Sequence, residues 1–301
     1  MTRRSEAIAL AVATVFLMGL AIAVEAQRDK LFAASKVDEE LLYVQSPLMM
    51  KKAALSYSTV LADVYWIRAL QHYGYYRLHQ EAPDRYHLLF PLLDLTTTLD
   101  PNFMVAYRFG AIFLAESDPG GAGRPDLAVK LLEKGIKATP DKWQYYHDIG
   151  FIYYWHIRDY KEAAAWFDRG GKVPGSPWWL RTYAAVMLIR GGDRQASRAM
   201  WQNLLASADN DWVKKSAELR LTQLDALDQI DALKRVQDEF MARRGRLPES
   251  WQELIGAGLL RAMPVDPTGT PYTMNFATGE INVSGYSKLY PLPNEPEPGR
   301  K

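Results

Sequence analysis

Bulky and small apolar residues alternate at helical spacing through residues 143–205. The small residues recur at a nearly fixed interval: Gly150 and Ala184 stand 34 residues apart, and Ala163 and Ala196 stand 33 apart. A period of this length is typical of solenoids built from helix-turn-helix units. The pattern therefore predicts stacked pairs of helices, with the small residues at the places where two helices approach closely.

A unit with the same pattern precedes this stretch, at residues 102–140. Its gap from Gly110 to Ala128 is 18 residues, whereas the matching gap from Ala184 to Ala196 is 12. The difference, 18 minus 12, is six residues, and the turn-rich loop at 118–126 accounts for it. Insertions of this kind map to loops of a solenoid and leave the stacking intact.

The solenoid is predicted to begin and end with less regular segments. The first unit consists of helices at 51–76 and 85–99, joined by a connection at 77–84, with Pro91 inside the second helix. At the other end, residues 211–244 carry leucine or isoleucine at every third position over part of their length. This spacing predicts one long helix or two shorter ones that close the stack.

These units resemble tetratricopeptide repeats, whose pattern is W-x2-L-G-x2-Y, then A-x3-F, then P. The residues that carry the resemblance in one unit are Tyr146, Ile149, Gly150, Tyr153, Ala163, Phe167 and Pro174. The resemblance implies an all-α fold, a right-handed helical solenoid whose first helices line a concave groove.

An uncharged apolar run, residues 7–24, follows the basic N-terminal sequence MTRRSE. Eighteen residues span ~27 Å as a helix, which is enough to cross the hydrocarbon core of a bilayer. The run is interpreted as a single-pass transmembrane anchor, with a cleaved signal peptide as the alternative. Because Arg3 and Arg4 are held inside, both interpretations place the body on the periplasmic or outer side of the cytoplasmic membrane.

The composition changes after residue 244. Residues 245–290 predict a short helix containing Trp251, a stop at Gly258, and a β-hairpin with strands at 272–275 and 281–284. The turn sequence at 264–272 resembles a turn in the globular ends of bacterial pseudopilins, although the pilin-type processing site is missing from the N terminus. The segment is interpreted as a small α+β cap over the last helix.

The resulting division has five parts. Residues 1–26 are the anchor or signal peptide, 27–50 a spacer helix ended by Ser46 and Pro47, 51–244 the helical repeats, 245–290 the cap, and 291–301 a proline-rich disordered tail.

Composition and motifs argue against several classes of function. Lys+Arg 36 and Asp+Glu 35 give a net charge of +1, so nothing suggests nucleic acid as a partner. With no cysteine, thiolate metal sites and cysteine nucleophiles are excluded. His72 and His79 have a spacing that fits one helix face, but two ligands without a third make a poor zinc site. No nucleophile elbow or phosphate loop is found. No catalytic residue, metal or cofactor is predicted, and the chain is not expected to be an enzyme.

The resemblance assigns a partner-binding groove to the first helices of the repeats. This surface is apolar, rich in aromatic rings and nearly uncharged, so it fits an apolar or aromatic protein segment. The groove residues are Val64, Ile67, Gln71, Tyr75, Met104, Tyr107, Gln144, His147, Phe151, Tyr154, Trp155, Trp178, Arg181 and Leu188.

The sequence therefore predicts a membrane-anchored scaffold that binds protein partners of the cell envelope and helps to assemble a pilus, secretion, export or cell-wall machine. The alternative is a permanent structural subunit of a large membrane complex. A metal-dependent enzyme built on the histidines is a third, weaker hypothesis.

Overall fold

The computed structural model describes residues 13–24, 27, 46–79, 85–208 and 210–296. Residues 13–24 are helical, with exposed side chains. No helix in these ranges is both long and apolar enough to span a bilayer. The predicted anchor begins at residue 7, so its first part lies outside the described residues, as do residues 28–45 of the predicted spacer and residues 297–301 of the predicted tail.

From residue 46 onwards the described chain forms eleven α-helices and one β-hairpin, so the predicted all-α class is confirmed. The helices are α1 (Pro47–Ala54), α2 (Ser58–Leu78), α3 (Leu89–Leu99), α4 (Met104–Ala115), α5 (Pro125–Ala138), α6 (Trp143–Ile152), α7 (Tyr160–Gly171), α8 (Trp179–Arg190), α9 (Arg194–Ser207), α10 (Asp211–Arg244) and α11 (Trp251–Gly256). The strands are β1 (Thr273–Asn275) and β2 (Glu280–Asn282), which pair antiparallel.

Helices α2 to α10 form a stack in which each helix packs against the next one in the chain. From α5 onwards the connections have three to seven residues, and short connections join antiparallel neighbours. In addition, α3 contacts α5 and α4 contacts α6, so successive hairpins lie side by side. The described part of the chain is therefore compatible with a helical repeat scaffold.

Two ion pairs join equivalent helices of successive hairpins. Arg108 on α4 donates two hydrogen bonds to Asp148 on α6, at 2.5 and 3.0 Å, and Lys134 on α5 lies 2.7 Å from Asp94 on α3. Each pair joins residues 40 apart in the chain. Forty is the 34-residue period plus the six residues of the loop at 118–126, so the pairs connect corresponding positions of the repeat.

The small residues singled out by the sequence lie where helices approach closely. A Cβ atom on Gly150 would lie 2.7 Å from the ring of Phe167 on α7, and one on Gly110 would lie 2.7 Å from Leu93 on α3. Ala184 on α8 is fully buried. The packing role predicted for the two glycines is confirmed, because even a methyl group at either position would collide with a neighbouring helix.

The predicted insertion at 118–126 is bound back to the first hairpin. The hydroxyl of Tyr73 on α2 donates to the carbonyl oxygen of Gly120 at 2.7 Å, and the hydroxyl of Tyr86 donates to that of Pro119 at 3.1 Å. The extra residues therefore connect α2 with the hairpin of α4 and α5.

Two helix boundaries differ from the prediction at prolines. Ser46 and Pro47 do not end the spacer; they begin α1, where the Ser46 side chain accepts a hydrogen bond from the Met49 amide and proline occupies the first turn. The helix predicted at 85–99 begins only at Leu89, which places Pro91 in its first turn, where an amide hydrogen is not needed. Helix α1 thus crosses the predicted boundary at residue 51, and the stack itself begins with α2 at Ser58.

The second half of α10 carries the cap. Ala226, Ile230, Leu233 and Phe240 form one buried cluster with α11 and the β-hairpin. The hydroxyl of Tyr272 donates to Gln229 on α10 at 2.8 Å. The cap is therefore packed along the last helix of the stack.

Residues 291–296 were predicted as part of a disordered tail, and this was wrong. The buried Gln223 of α10 donates to the carbonyl oxygens of Leu289 and Pro291, at 2.8 and 3.0 Å. Arg194 on α9 binds both carboxylate oxygens of Glu295, at 2.8 and 2.6 Å. The segment therefore runs over α10 and connects the cap with the last hairpin of the stack.

Candidate protein-binding surface

Three rings follow one another along the exposed side of α6 and the turn after it. His147 and Phe151 have ring centroids 6.4 Å apart, and Phe151 and Trp155 have centroids 6.3 Å apart with only 9° between their planes. Phe151 is 45% exposed and Trp155 is 49% exposed. Because the three residues are spaced four apart, they form a continuous aromatic strip on one helix face.

The backbone after α6 shapes the end of this strip. Tyr153–Ile157 form a π-helical turn, which ends at Arg158 in a left-handed conformation (φ 65°). The Arg158 guanidinium lies 5.3 Å from the Trp155 ring centroid, where a cation is attracted to the face of the ring. Single π turns of this kind are often found at functional sites.

Tyr154 is held by the neighbouring hairpin. Arg190 on α8 donates to the Tyr154 hydroxyl at 3.1 Å and also lies over its ring, at 5.4 Å. Tyr154 is half-buried and packs behind the strip, whereas the Trp155 ring is exposed to solvent.

A second group of rings lies on α8 and at the start of α10. Trp179 contacts His147 edge to face at 5.6 Å, which joins α8 to the strip on α6. Trp178 and Trp212 have ring centroids 4.6 Å apart, and both are substantially exposed. Trp212 was not among the predicted groove residues. It stands 34 residues after Trp178, so the repeat period predicts an equivalent position for it.

The remaining predicted residues of α6 and α8 are only partly accessible. Gln144, Leu188 and Arg181 are half-buried. The Arg181 Nε atom lies 3.8 Å from a carboxylate oxygen of Asp168 on α7, so its charge is directed into the stack. Arg181 therefore offers little free positive charge to an acidic partner, and Arg158 is the exposed cation at the Trp155 end of the strip.

Tyr107 was predicted to face the groove, and this was wrong. Its ring is fully buried against Tyr145 and Gly135, and burial raises the pKa of Tyr107 to about 12. Met104 is half-buried. On α4 the exposed apolar side chains are Val105, Phe109 and Ile112.

The difference has a physical cause in the packing of the first hairpin. The residues 40 positions after the exposed trio, Tyr145, Ile149 and Ile152, are all buried. Helix α2 reaches α4 through ring contacts of Trp66 and Tyr73 with Phe113. Val105, Phe109 and Ile112 of α4 consequently remain exposed to solvent, whereas the corresponding residues of α6 are buried.

The four predicted groove residues of α2, Val64, Ile67, Gln71 and Tyr75, are all exposed and lie on one side of the helix. The buried Tyr107 and Ala111 of α4 lie between α2 and α6 in the stack, so they interrupt the predicted groove. One part of it is the exposed face of α2, and the other is the aromatic strip with its neighbours on α8 and α10.

The described residues contain no group of three or more histidine, aspartate or glutamate side chains placed to hold a metal ion. The His79 ring stacks on Tyr75, at 4.2 Å, and the His72 ring contacts His87, at 5.7 Å. The histidine pair singled out by its spacing is thus packed among other rings.

The fold and its surfaces define a class: an all-α stack of helical hairpins with a small β-hairpin cap and an exposed aromatic strip. No family model matches the chain, and no curated protein or solved structure is found to match it.

Proposed function

We propose that the protein is a membrane-anchored scaffold of the tetratricopeptide type, which binds an apolar or aromatic segment of an envelope protein and helps to assemble an envelope complex. The observation that carries the proposal is the aromatic strip His147, Phe151 and Trp155. Aromatic rings are enriched in the binding centres of protein interfaces, where a few of them supply most of the binding energy.

The surroundings of the strip support a protein partner. Its nearest cation, Arg158, lies over the Trp155 ring, whereas Arg108 and Asp148 are paired with each other and Arg190 is bound to Tyr154. An acidic peptide would find few unpaired cations here, whereas an apolar side chain would gain contact with two half-exposed rings. Helices held at both ends by neighbouring hairpins also need little reordering on binding.

The double substitution Phe151→Ser and Trp155→Ser should abolish partner binding and leave the fold intact, because both rings are half-exposed. A photo-crosslinking residue at position 178, which remains available in this variant, should capture one protein in cells from the parent chain and lose it in the double variant. The purified partner segment should then bind the parent at least about 100-fold more tightly than the variant, as expected for the loss of two hot-spot rings.

The matched control removes two other exposed rings, Tyr286 and Tyr290 of the cap. This variant should bind like the parent, and a crosslinker at position 286 should not capture the same protein. Unchanged binding by the double variant of Phe151 and Trp155, with an unchanged circular dichroism spectrum, would refute the proposed site.

The proposed anchor is tested separately. The full chain should remain in the membrane fraction after carbonate washing, whereas a chain with Leu10→Lys and Leu17→Lys in the apolar run should be released, because a charged residue near the middle of a membrane helix costs about 2.5–3.5 kcal/mol. Release of the parent chain by carbonate would refute the proposed membrane anchor, but it would not bear on the proposed binding surface.

A permanent structural subunit is a second candidate, favoured by the open trio Val105, Phe109 and Ile112. An apolar patch of this kind is often covered in a complex. This candidate predicts one stoichiometric partner that does not exchange, whereas a scaffold releases its partner on dilution.

A further inference from the structure

Helix α2 presents an apolar stripe to solvent along its whole length. Ile67 is 52% exposed and Leu78 is 82% exposed. At 3.6 residues per turn, the exposed apolar side chains lie on one face, opposite the face that packs on α3. The stripe consists of Val60, Val64, Ile67, Tyr75 and Leu78, with Gln71 at its middle.

The position of this stripe in the fold is unusual. Terminal repeats of a solenoid normally carry a polar outer face, because no further repeat covers them. Helix α2 belongs to the first hairpin and yet carries an apolar one. The helical residues 13–24 are exposed themselves, so that segment does not cover it. Within the described residues, therefore, no segment covers the stripe.

Two charged residues on one side of the stripe are arranged for a second copy of the same helix, whereas Arg68 lies on its other side. Asp63 and Arg77 flank the same side of the stripe, about 21 Å apart along the axis at ~1.5 Å per residue, with Leu70 midway between them. In an antiparallel pair related by a two-fold axis at Leu70, each Asp63 faces the Arg77 of the second copy. Within the described residues neither side chain has an ion-pair partner, and Arg77 only contacts Tyr73.

Gly74 supplies a second, independent sign of the same arrangement. A Cβ atom on Gly74 would have no neighbouring atom within 4 Å, so no described residue of its own chain requires a glycine there. Glycine in a helix interior lowers helix stability, and a close approach of another helix is one reason to retain it. Ile67 lies three residues before Leu70 and Gly74 four residues after it, so in the antiparallel pair Ile67 of one copy and Gly74 of the other differ by only ~1.5 Å along the axis. Each exposed Ile67 thus meets the open backbone at Gly74 of the other copy.

We propose that α2 forms a two-fold, antiparallel interface with α2 of a second copy of this chain. Such an interface is isologous, so one ion pair and one contact of isoleucine with glycine occur on each side of the axis, two of each in all. The apolar stripe supplies the attraction and the ion pairs fix the register. One helix per copy makes a small interface, and the dimer is expected to be reversible.

Crosslinking of single cysteines tests the register, because the chain has no cysteine of its own. The full-length Gln71→Cys variant, in membrane vesicles, should give a crosslinked dimer with a bis-maleimide of about 10 Å reach, the distance between packed helix axes. Leu78→Cys is the control: it lies on the same stripe and is very exposed, but its twin would be ~24 Å away along the axis. Equal crosslinking at both positions, or none at Gln71→Cys, would overturn the proposal.

Charge reversal tests the pairing itself. Asp63→Lys and Arg77→Glu should each weaken the dimer about 10-fold in detergent solution, because two attractive pairs become repulsive, and the variant with both changes should return to within about 3-fold of the parent. Gly74→Leu should abolish the dimer, and the unchanged helical spectrum should show that the chain still folds.

No other partner predicts rescue by the double reversal. If the stripe instead lay on lipid, a fluorophore at Gln71→Cys would report an apolar environment in vesicles without any crosslinked dimer. That result, or single reversals without effect, would refute the interface between copies. The binding of a partner by the aromatic strip is measured independently, so either proposal can fail alone.

Discussion

Replacement of Phe167 by alanine should lower the free energy of unfolding by about 3–5 kcal/mol, the range for large aromatic side chains removed from a core. The ring is only 2% exposed and covers Gly150 of α6. It also contacts His147 and Tyr183, at 5.8 and 5.7 Å. The loss is large because α6 and α7 both lose the side chain that fills the space between them.

Urea unfolding of the full chain in a mild detergent, followed by helical circular dichroism, measures this change. The matched control is Phe109→Ala, the same substitution at a half-exposed position of α4, which should cost about 1 kcal/mol or less. Equal losses for the two variants would contradict the assignment of Phe167 to the centre of the hairpin packing.

The contact between Gly150 and Phe167 should also be visible as coupling between two substitutions. Gly150→Ala alone should destabilise by about 1–3 kcal/mol, because the new methyl group collides with the ring. In the Phe167→Ala background the same substitution should stabilise by about 0.5–1 kcal/mol, since alanine is the better helix former. A destabilising effect of the same size in both backgrounds would show that the close approach does not exist.

Local sequence signals predicted the helix boundaries where they were strong. Helix α10 spans the predicted residues 211–244 and is one helix, the first of the two possibilities that the leucine spacing left open; Asn210 accepts a hydrogen bond from the Trp212 amide at its start and Gly245 adopts φ 74° at its end. The hairpin about residues 277–279 follows in the same way from Gly279, at φ 77°. Each of these turns and caps is determined by residues that are adjacent in the chain.

The rotation of α4 was not accessible to the same reasoning. Arg108 is the one charged residue of this helix, MVAYRFGAIFLA, so apolar side chains surround nearly the whole axis and the pattern selects no buried face. Its rotation is fixed by the ion pair with Asp148, 40 residues away, and by the tilted contact between the Tyr107 and Tyr145 rings, whose centroids lie 5.4 Å apart. The error on Tyr107 came from transferring a repeat position to a helix with an atypical neighbour.

The proline-rich C-terminal segment shows the limit of composition as a guide. Its sequence, PLPNEPEPGR, is typical of disorder, yet Arg194 and Gln223 donate four hydrogen bonds to three residues in or just before it, Leu289, Pro291 and Glu295. Proline also restricts the unfolded chain, so a few specific hydrogen bonds are enough to order such a segment. Those donors lie on α9 and α10, far away in sequence.

Replacement of Asp266 by alanine should destabilise the cap by about 2–4 kcal/mol, because it removes a buried charged acceptor and leaves its donors unpaired. One carboxylate oxygen of Asp266 accepts hydrogen bonds from the Thr268 amide (2.8 Å), the Thr268 hydroxyl (2.7 Å) and the Thr270 amide (3.0 Å). The other accepts from the Ser287 hydroxyl, which joins the turn to the chain after the hairpin.

The same carboxylate should make the cap sensitive to acid. Burial raises the pKa of Asp266, but the hydrogen bonds from Ser287, Thr268 and Thr270 outweigh burial and hold the pKa below its ordinary value of 3.8. A carboxyl group whose pKa is depressed by folding contributes stability above its unfolded pKa and loses it as the pH falls through the folded value. The contribution should therefore be complete above about pH 5 and decline below the ordinary value near pH 4.

Asp266→Asn separates the charge from the shape of the turn. The amide oxygen can still accept from Thr268 and Thr270, so this variant should lose only about 1 kcal/mol at neutral pH, less than Asp266→Ala. Its difference from the parent should shrink between pH 5 and pH 3, since protonation makes the parent carboxyl group neutral as well. Hydrogen exchange of the hairpin amides, corrected for intrinsic rates, reports the cap locally. A difference that grows towards acid pH would mean that the pKa of Asp266 is raised by folding, and that burial outweighs its hydrogen bonds.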